Sequence, residues 1–211
     1  MRENGDIKNL YYIYEKKKAI IKDFLLKTKN RNDEYVLGEL FFCILAAQAK
    51  AQHARRIVNK LKEEGNLFAV NIDDLKRDLN YVRFVNKKAS YVMEARNRLD
   101  ELKEKLNLEP VELRNWLASK EGIKGFGLKE SSHFLRNIGI GFGRITIIDV
   151  HIQQFLKDVG IFDGEIGKIN KNSYLELEKK FLDLAKELKI PPEELDIAVW
   201  LYKSGEKEFY G

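Results

Sequence analysis

Lys129 and Asp149 are the residues of this sequence whose types and surroundings best suit covalent chemistry. Lys129 follows the two glycines of "GIKGFGLKE" and falls near the second position of a predicted helix. The positive end of the helix dipole disfavours an ammonium group there, and partial burial would disfavour it further. A neutral lysine amine is a nucleophile that forms Schiff bases with sugar and carbonyl carbons. A solvated surface lysine is the structural alternative.

Asp149 lies in the later stretch "IIDVH" and is the candidate partner of that amine. A carboxylate facing Lys129 could take a proton from it and stabilise a cationic transition state. The same position is the predicted N-cap of the helix "VHIQQFLKDVG". A plain capping aspartate is therefore the alternative to a catalytic one.

The stretch "EGIKGFGLKE" is typical of a helix–hairpin–helix motif. Gly125 and Gly127 permit positive φ in a tight turn and let the backbone approach a partner closely. The N–H groups of such a turn and of the following helix start form an anion site, which suits a DNA phosphate. An ordinary corner between two helices would also explain the glycines alone.

Helical periodicity dominates the rest of the chain and predicts an all-α fold of about ten helices. The helix over residues 34–48 is apolar nearly all round from Leu40 to Ala47, so we expect it at the centre of the fold. Residues 86–106 read as one long helix. The strand-like run "RITIIDV" has no second strand to pair with, so it is interpreted as a loop that enters the next helix.

Composition favours a folded protein with an anionic partner and without metal or disulfide chemistry. Hydrophobic residues make up 44% of the chain, and its net charge is +5. Cys43 is the only cysteine, which excludes an internal disulfide and a cluster held by four thiolates of this chain. The three histidines lack metal-ligand spacing with Cys43. No signal peptide or 18-residue apolar run occurs, so we expect a cytoplasmic protein without membrane contact.

Taken together, "IKGFGLKESSHFLRN" and "IIDVHIQQFL" resemble the helix–hairpin–helix DNA glycosylase superfamily. The segments "KESSHFLRNIG", "RFVNKKASYV" and "LDIAVW" are most similar to the type-2 8-oxoguanine DNA glycosylase/AP lyases of archaea and some bacteria. The resemblance implies a two-lobed helical fold with the active site in the interlobe cleft. We expect a helical-barrel lobe over 33–140 that ends in the hairpin motif, and a second lobe from 1–32 plus 141–211.

The resemblance also implies a bifunctional enzyme that needs no cofactor or metal. Lys129 would attack C1′ of a flipped nucleotide, expel 8-oxoguanine and form a Schiff base, with Asp149 as the activating carboxylate. β-Elimination would then nick the abasic strand. The expected partner is double-stranded DNA with an oxidised base, bound by a monomer at the nucleoid of an archaeon or bacterium.

Five further residues are predicted to contact DNA. The resemblance implies that Gln48 fills the gap left by the flipped base, that Phe84 and Trp200 sandwich the base, and that Asp196 hydrogen-bonds it. Arg55, soon after Gln48, is a candidate phosphate contact. A polar helix end for Gln48 and core packing for the two aromatic residues are the alternatives.

Three departures from the resembled family bear on specificity. The loop "GIGFGRIT" is longer than expected, Val150 stands where Arg or Thr is usual, and the chain ends "EKEFYG" without the usual terminal lysine. Two other functions stay open. One is a glycosylase/lyase for oxidised pyrimidines, as in endonuclease III, which the missing cysteine cluster disfavours. The other is a non-catalytic helix–hairpin–helix DNA-binding module, which has no need of Lys129 with Asp149.

Overall fold

Helices account for all of the regular secondary structure in the computed structural model, which describes residues 5–29, 31–79 and 82–205. The predicted all-α fold is confirmed. The eleven helices of these residues are α1 (Gly5–Lys27), α2 (Asp33–Ala46), α3 (Ala51–Glu63), α4 (Ile72–Asp78), α5 (Val85–Asn97), α6 (Leu99–Lys105), α7 (Pro110–Leu117), α8 (Leu128–Asn137), α9 (Val150–Asp158), α10 (Lys171–Leu188) and α11 (Pro192–Ser204).

The described chain divides into two compact units, each with its own set of helices. The middle unit is the described part of 29–138, and it contains α2 to α8. The terminal unit combines residues 5–28 with 139–205, and it contains α1 and α9 to α11. Each unit therefore carries part of the predicted site.

Helix α2 forms the centre of the middle unit, as its apolar sequence predicts. All ten residues from Val36 to Leu45 are buried, and α3, α5 and α8 pack against this helix. Asn32 caps its start by accepting a hydrogen bond from the Tyr35 N–H at 2.8 Å. A helix that is apolar on every side has to be surrounded in this way, since any exposed face would place hydrophobic area in water.

The prediction of one continuous helix over 86–106 is wrong at Arg98. The backbone leaves helical geometry there, with φ −105° and ψ 13°, and separates α5 from α6. The Arg98 guanidinium donates to the carbonyl oxygens of Glu121 and Gly122, at the entrance of the hairpin, and pairs with Glu101 at 2.8 Å. The helix is thus interrupted at the arginine whose side chain binds the backbone just before the hairpin.

In the terminal unit, α11 packs against α1, α9 and α10. The Lys203 ammonium of α11 lies 2.6 Å from an Asp6 oxygen of α1 and 2.8 Å from an Asp158 oxygen of α9. A buried hydrogen bond of 2.7 Å from the Tyr14 hydroxyl to Glu194 adds a second tie between α1 and α11. These polar contacts fix α11 relative to both neighbouring helices.

The run "RITIIDV" is a loop, as predicted, and no strand occurs among the described residues. Tyr174 of α10 holds this loop, because its hydroxyl donates to the Thr146 carbonyl at 3.0 Å and accepts from the Ile148 N–H at 3.2 Å. The Glu178 carboxylate accepts from the Thr146 N–H at 3.0 Å. Side chains of α10 therefore supply the hydrogen bonds that a neighbouring strand would otherwise give to this extended backbone.

Candidate active site

The hairpin between α7 and α8 uses its two glycines differently. Gly125 has φ +88°, and a Cβ atom there would stand 2.7 Å from the Tyr91 ring. Gly127 is extended, with φ −109° and ψ −168°, and is the N-cap residue of α8. Only Gly125 therefore uses the positive φ that glycine permits. At Gly127 the absence of a side chain leaves the backbone at the helix start open.

Lys129 is the second residue of α8, as the sequence predicts. Its side chain is 31% exposed, and its Nζ lies 3.6 Å from Oε1 of Glu130. The other carboxylate oxygen of Glu130 accepts from the Gly127 N–H at 3.3 Å, which fixes the first turn of the helix. The amine is accessible to a reactant and stands on a helix start that is itself held in place.

A pocket of about 270 Å³ lies within the middle unit, and the hairpin contributes Gly125 to its lining. It brings together three of the predicted site residues, Gln48, Phe84 and Gly125. The other lining residues are Ile44, Ala47, Lys87, Lys88 and Tyr91. The pocket combines apolar and aromatic walls with amide and ammonium groups, which is the composition of a small-ligand site.

Gln48 and Phe84 share an unusual backbone conformation at this pocket. Their φ angles are +53° and +60°, in the left-handed region that side chains other than glycine rarely adopt. Such a conformation costs roughly 1–2 kcal/mol for each residue. Two strained residues that line one pocket indicate that a function maintains them.

The Phe84 ring is 53% exposed although it is a large hydrophobic group. It belongs to the N-cap residue of α5, and the Arg83 guanidinium lies 5.3 Å from the ring centroid. An aromatic face held at the mouth of a pocket beside a cation is suited to stacking on a planar, electron-rich group. This position fits the predicted base contact better than core packing.

Lys88 is a site residue that sequence reasoning missed. Its side chain is buried, and its Nζ donates to the carbonyl oxygens of Leu45 at 2.7 Å and Ala47 at 2.6 Å. Burial, together with the positive charges of Arg83 and Lys129, lowers the pKa of Lys88 to about 8. The signal in the sequence is its helical spacing, since Lys88 stands four residues before the buried Val92.

Arg55, the predicted phosphate contact, is paired with a buried carboxylate of the middle unit. Its guanidinium makes two hydrogen bonds to the Glu39 carboxylate, at 2.5 and 2.8 Å, and lies 3.9 Å from the centroid of the Phe42 ring. Glu39 also accepts from the Asn137 side-chain amide at 2.7 Å. A buried carboxylate requires a paired cation, so the guanidinium is committed to α2. The neighbouring Arg56 is exposed.

Asp149 caps α9, as its position in the sequence predicts. Its Oδ1 accepts from the Ile152 N–H at 2.9 Å, and the residue is partly exposed. The preceding Ile148 is fixed by Tyr174, and its carbonyl accepts from the Gln153 amide at 3.4 Å. The N-cap contact occupies one of the two carboxylate oxygens.

Trp200 and Asp196 lie on α11 of the same unit as Asp149. The Trp200 ring is half-buried and meets the ring of His151 edge-on, with centroids 6.2 Å apart. His151 is in the first turn of α9, so this contact links the helix that Asp149 caps to Trp200. Asp196 is 4% exposed and stands one helical turn before Trp200. A base contact requires an accessible side chain, and Asp196 is more buried in this structure than that role predicts.

A family model described as 8-oxoguanine DNA glycosylase matches residues 17–190 of this chain. That range holds the hairpin, Lys129, Asp149 and the described pocket. The chain belongs to this family. The resemblance seen in the sequence motifs is confirmed, and the hairpin described above is the helix–hairpin–helix motif of these glycosylases.

Relatives and solved structures match this member of the 8-oxoguanine DNA glycosylase family over most of its length. An 8-oxoguanine DNA glycosylase/AP lyase of Fusobacterium nucleatum is 33% identical over 97% of this chain and 98% of its own. One from Aquifex aeolicus is 36% identical over 82% and 77%. The Methanocaldococcus jannaschii 8-oxoguanine glycosylase/lyase in complex with a 15mer DNA containing 8-oxoguanine superposes with a TM-score of 0.82. It is 31% identical and covers 96% of this chain and 99% of its own.

Three predictions concern metals, membranes and the chain end. Among residues 5–29, 31–79 and 82–205, no group of three or more His, Cys, Asp or Glu side chains is arranged to hold a metal ion. None of the helices described in this glycosylase is long and apolar enough to cross a membrane. The end "EKEFYG", with its missing terminal lysine, lies outside the described residues.

Proposed function

We propose that this protein is a bifunctional DNA repair enzyme that excises 8-oxoguanine from double-stranded DNA and nicks the resulting abasic site. The observation that carries the proposal is the placement of Lys129. It is the second residue of a helix that directly follows the helix–hairpin–helix turn, in a chain of the 8-oxoguanine DNA glycosylase family. Its amine is accessible, and its helix start is fixed by Glu130.

In the proposed reaction, the damaged nucleotide leaves the base stack so that its sugar becomes reachable. The Lys129 amine loses a proton to Asp149 and attacks C1′, and the bond between C1′ and the base breaks as the base departs with the electron pair. The departing base takes the proton that Asp149 received, and the restored carboxylate stabilises the positive charge on the sugar. The C1′–O4′ bond then breaks, O4′ takes a proton from the lysine nitrogen, and an iminium Schiff base forms between C1′ and that nitrogen.

Strand cleavage follows from the same intermediate. The iminium group acidifies the C2′ proton, and the Asp149 carboxylate takes this proton as the C3′–O bond breaks and the downstream strand leaves with its 5′ phosphate. Hydrolysis of the remaining unsaturated Schiff base by water releases the cleaved sugar as an aldehyde and returns the Lys129 amine.

The other predicted residues are proposed to bind DNA around this centre. Phe84 and Trp200 stack on the flipped base, and each such contact is worth roughly 1–3 kcal/mol. The exposure of Phe84 and its left-handed backbone support this role. Gln48 occupies the gap in the duplex, and Asp196 hydrogen-bonds the base. Gly125 and Gly127 keep the hairpin backbone close to a phosphate.

We further propose that one chain suffices for the reaction and that it acts on the DNA of the nucleoid. The predicted lobes over 33–140 and over 1–32 with 141–211 remain the proposed domain organisation.

The proposal is tested by product analysis on an end-labelled duplex with one 8-oxoguanine. The wild-type protein should produce a nicked strand without alkali, and Lys129→Gln should produce neither a nick nor an alkali-labile site. Undamaged and thymine-glycol duplexes serve as controls. A strand break that appears only after alkali treatment would show base loss without cleavage and would overturn the proposed lyase activity. Preferential cleavage at thymine glycol would overturn 8-oxoguanine as the substrate. Binding to the duplex without any product would favour a non-catalytic DNA-binding module.

A further inference from the structure

The end of α2 is held by a side chain from another helix. The last carbonyl groups of an α-helix have no partner within it, and α2 ends at Ala46, shortly before the left-handed Gln48. Lys88 of α5 supplies the donors, since its Nζ lies 2.7 Å from the Leu45 oxygen and 2.6 Å from the Ala47 oxygen. The two carbonyls flank the residue at which the helix stops.

Gln48 follows directly on the second of these carbonyls. Ala47 turns the chain with φ −54° and ψ 118°, and Gln48 then takes φ +53°. A glutamine in this conformation persists only where its surroundings determine it, because the left-handed region is disfavoured for a side chain with a Cβ. The Ala49 N–H donates to the Ala46 carbonyl at 3.0 Å and closes a tight turn around Ala47 and Gln48, and the Lys88 hydrogen bond to the Ala47 carbonyl holds the peptide group between these two residues.

Lys88 is suited to this task by its burial. The side chain is 5% exposed, whereas the adjacent Lys87 lines the same pocket and is exposed. A buried ammonium has to be hydrogen-bonded, since an unpaired one is strongly disfavoured. The carbonyls of Leu45 and Ala47 therefore fix Lys88 as firmly as Lys88 fixes them.

We propose that Lys88 is a positioning residue that sets the left-handed turn at Gln48 and thereby directs the Gln48 amide into the gap left by a flipped base. The inference rests on the proposed function, because a gap arises only when a nucleotide leaves the duplex. Lys88 touches neither base nor sugar in this role. It acts through the backbone that carries Gln48.

If Lys88 positions Gln48, removal of the Lys88 donors should weaken recognition of the gap more than general binding to duplex DNA. A duplex with a tetrahydrofuran abasic-site analogue presents the gap without a base to excise, so affinity for it relative to undamaged duplex measures gap filling alone. Lys88→Met keeps the length and apolar stem of the side chain but removes the donors. This change should lower the affinity ratio roughly tenfold, the effect of about one lost charge-assisted hydrogen bond.

The control is Arg56→Met, which removes a positive charge from an exposed side chain outside the pocket lining. It should lower affinity for both duplexes by the same factor, so that the ratio stays at the wild-type value. Lys88→Arg keeps donors in the buried position and should restore much of the ratio. Gln48→Ala should reproduce the Lys88→Met defect, and the double variant should be no worse than the more severe single variant, since the two residues act in series.

Equal losses on both duplexes in Lys88→Met, or additive losses in the double variant, would overturn the proposal. If Lys88→Met does not fold, Lys88→Gln has the same expected direction, because its amide is too short to reach both carbonyls. The binding ratio is independent of chemistry. A wild-type protein that prefers the tetrahydrofuran duplex but excises no 8-oxoguanine would refute the proposed function. Loss of that preference in Lys88→Met would still support the positioning role of Lys88.

Discussion

At the scale of single residues, Lys129 and Asp149 each occupy a helix start for a reason that is visible in the sequence. The glycines before Lys129 predict the start of α8, and Asp149 as an N-cap residue predicts the start of α9. The structure adds that the Asp149 carboxylate already accepts from the Ile152 N–H at 2.9 Å. The proposed function thus combines capping and catalysis in one side chain, and the two roles can be separated experimentally.

Asp149→Asn should remove catalysis and keep the cap. Asparagine accepts the same N–H hydrogen bond, so the free energy of unfolding should change by no more than about 0.5 kcal/mol, whereas Asp149→Ala should cost about 1 kcal/mol. Loss of the carboxylate should lower the rate of base excision by about 100-fold. Chemical denaturation and single-turnover excision check the two effects. Full activity in Asp149→Asn would reduce Asp149 to a capping residue.

Lys88 shows what the sequence does not reveal at this scale. Lys87 and Lys88 are identical in type, and only packing decides that one is exposed while the other is buried against the carbonyls of Leu45 and Ala47. Helical spacing indicates the buried face, but it gives no reason for a charge to lie on it. The partner carbonyls belong to a different helix, so no local pattern predicts the contact.

The lowered pKa of Lys88 predicts a stability that rises with pH. Its pKa is about 8 in the folded protein against 10.5 for an ordinary lysine. Between these two values the unfolded chain binds a proton that the folded chain does not, so the free energy of unfolding increases as pH rises. Relative to Lys88→Met, the wild type should gain about 3 kcal/mol between pH 8 and pH 10.5. Denaturation of both proteins across this range measures the difference, and a constant difference would contradict the burial of a charged Lys88.

At the scale of elements, local patterns predict most helix starts and the central place of α2. They do not predict the interruption at Arg98, because Leu99 and Leu102 continue the apolar spacing of the helix before it. The interruption accompanies contacts with the carbonyls of Glu121 and Gly122, which are distant in sequence. A tertiary partner outweighs local propensity at this position.

The two hairpin glycines should respond differently to alanine. Gly125→Ala places a Cβ 2.7 Å from the Tyr91 ring at φ +88°, whereas Gly127→Ala meets only the Glu130 carboxylate, at 3.5 Å. The first change should destabilise the protein by about 1 kcal/mol or more beyond the second. Urea denaturation of both variants checks this. Equal stabilities would contradict the left-handed conformation of Gly125.

The adjacent arginines of α3 should separate stability from DNA binding. Arg55→Met leaves the buried Glu39 carboxylate without its cation and should cost about 3 kcal/mol. Arg56→Met removes an exposed charge and should change stability by no more than about 0.5 kcal/mol, with a small, salt-dependent loss of DNA affinity. Denaturation and duplex-binding titrations distinguish the two. A normal stability with weakened binding in Arg55→Met would restore Arg55 as a phosphate contact.

At the scale of the whole molecule, family membership and the all-α class follow from sequence motifs spread over most of the chain. The grouping of Gln48, Phe84 and Gly125 around one pocket does not, because these residues come from three separate segments that only tertiary packing brings together. The net charge of +5 indicates a polyanion partner, yet it does not tell which arginine or lysine is free to meet it. Arg55 and Lys88 are two cations whose donors are directed into the protein.

Borohydride trapping tests the central claim most directly, since it captures the Schiff base between Lys129 and DNA. Wild type and Lys129→Gln are compared on duplexes that carry one 8-oxoguanine, one thymine glycol or no damage. The account predicts a covalent protein–DNA adduct with the 8-oxoguanine duplex in the wild type and none in Lys129→Gln. An adduct that persists in Lys129→Gln, or no adduct from a wild-type protein that binds the duplex, would contradict Lys129 as the nucleophile.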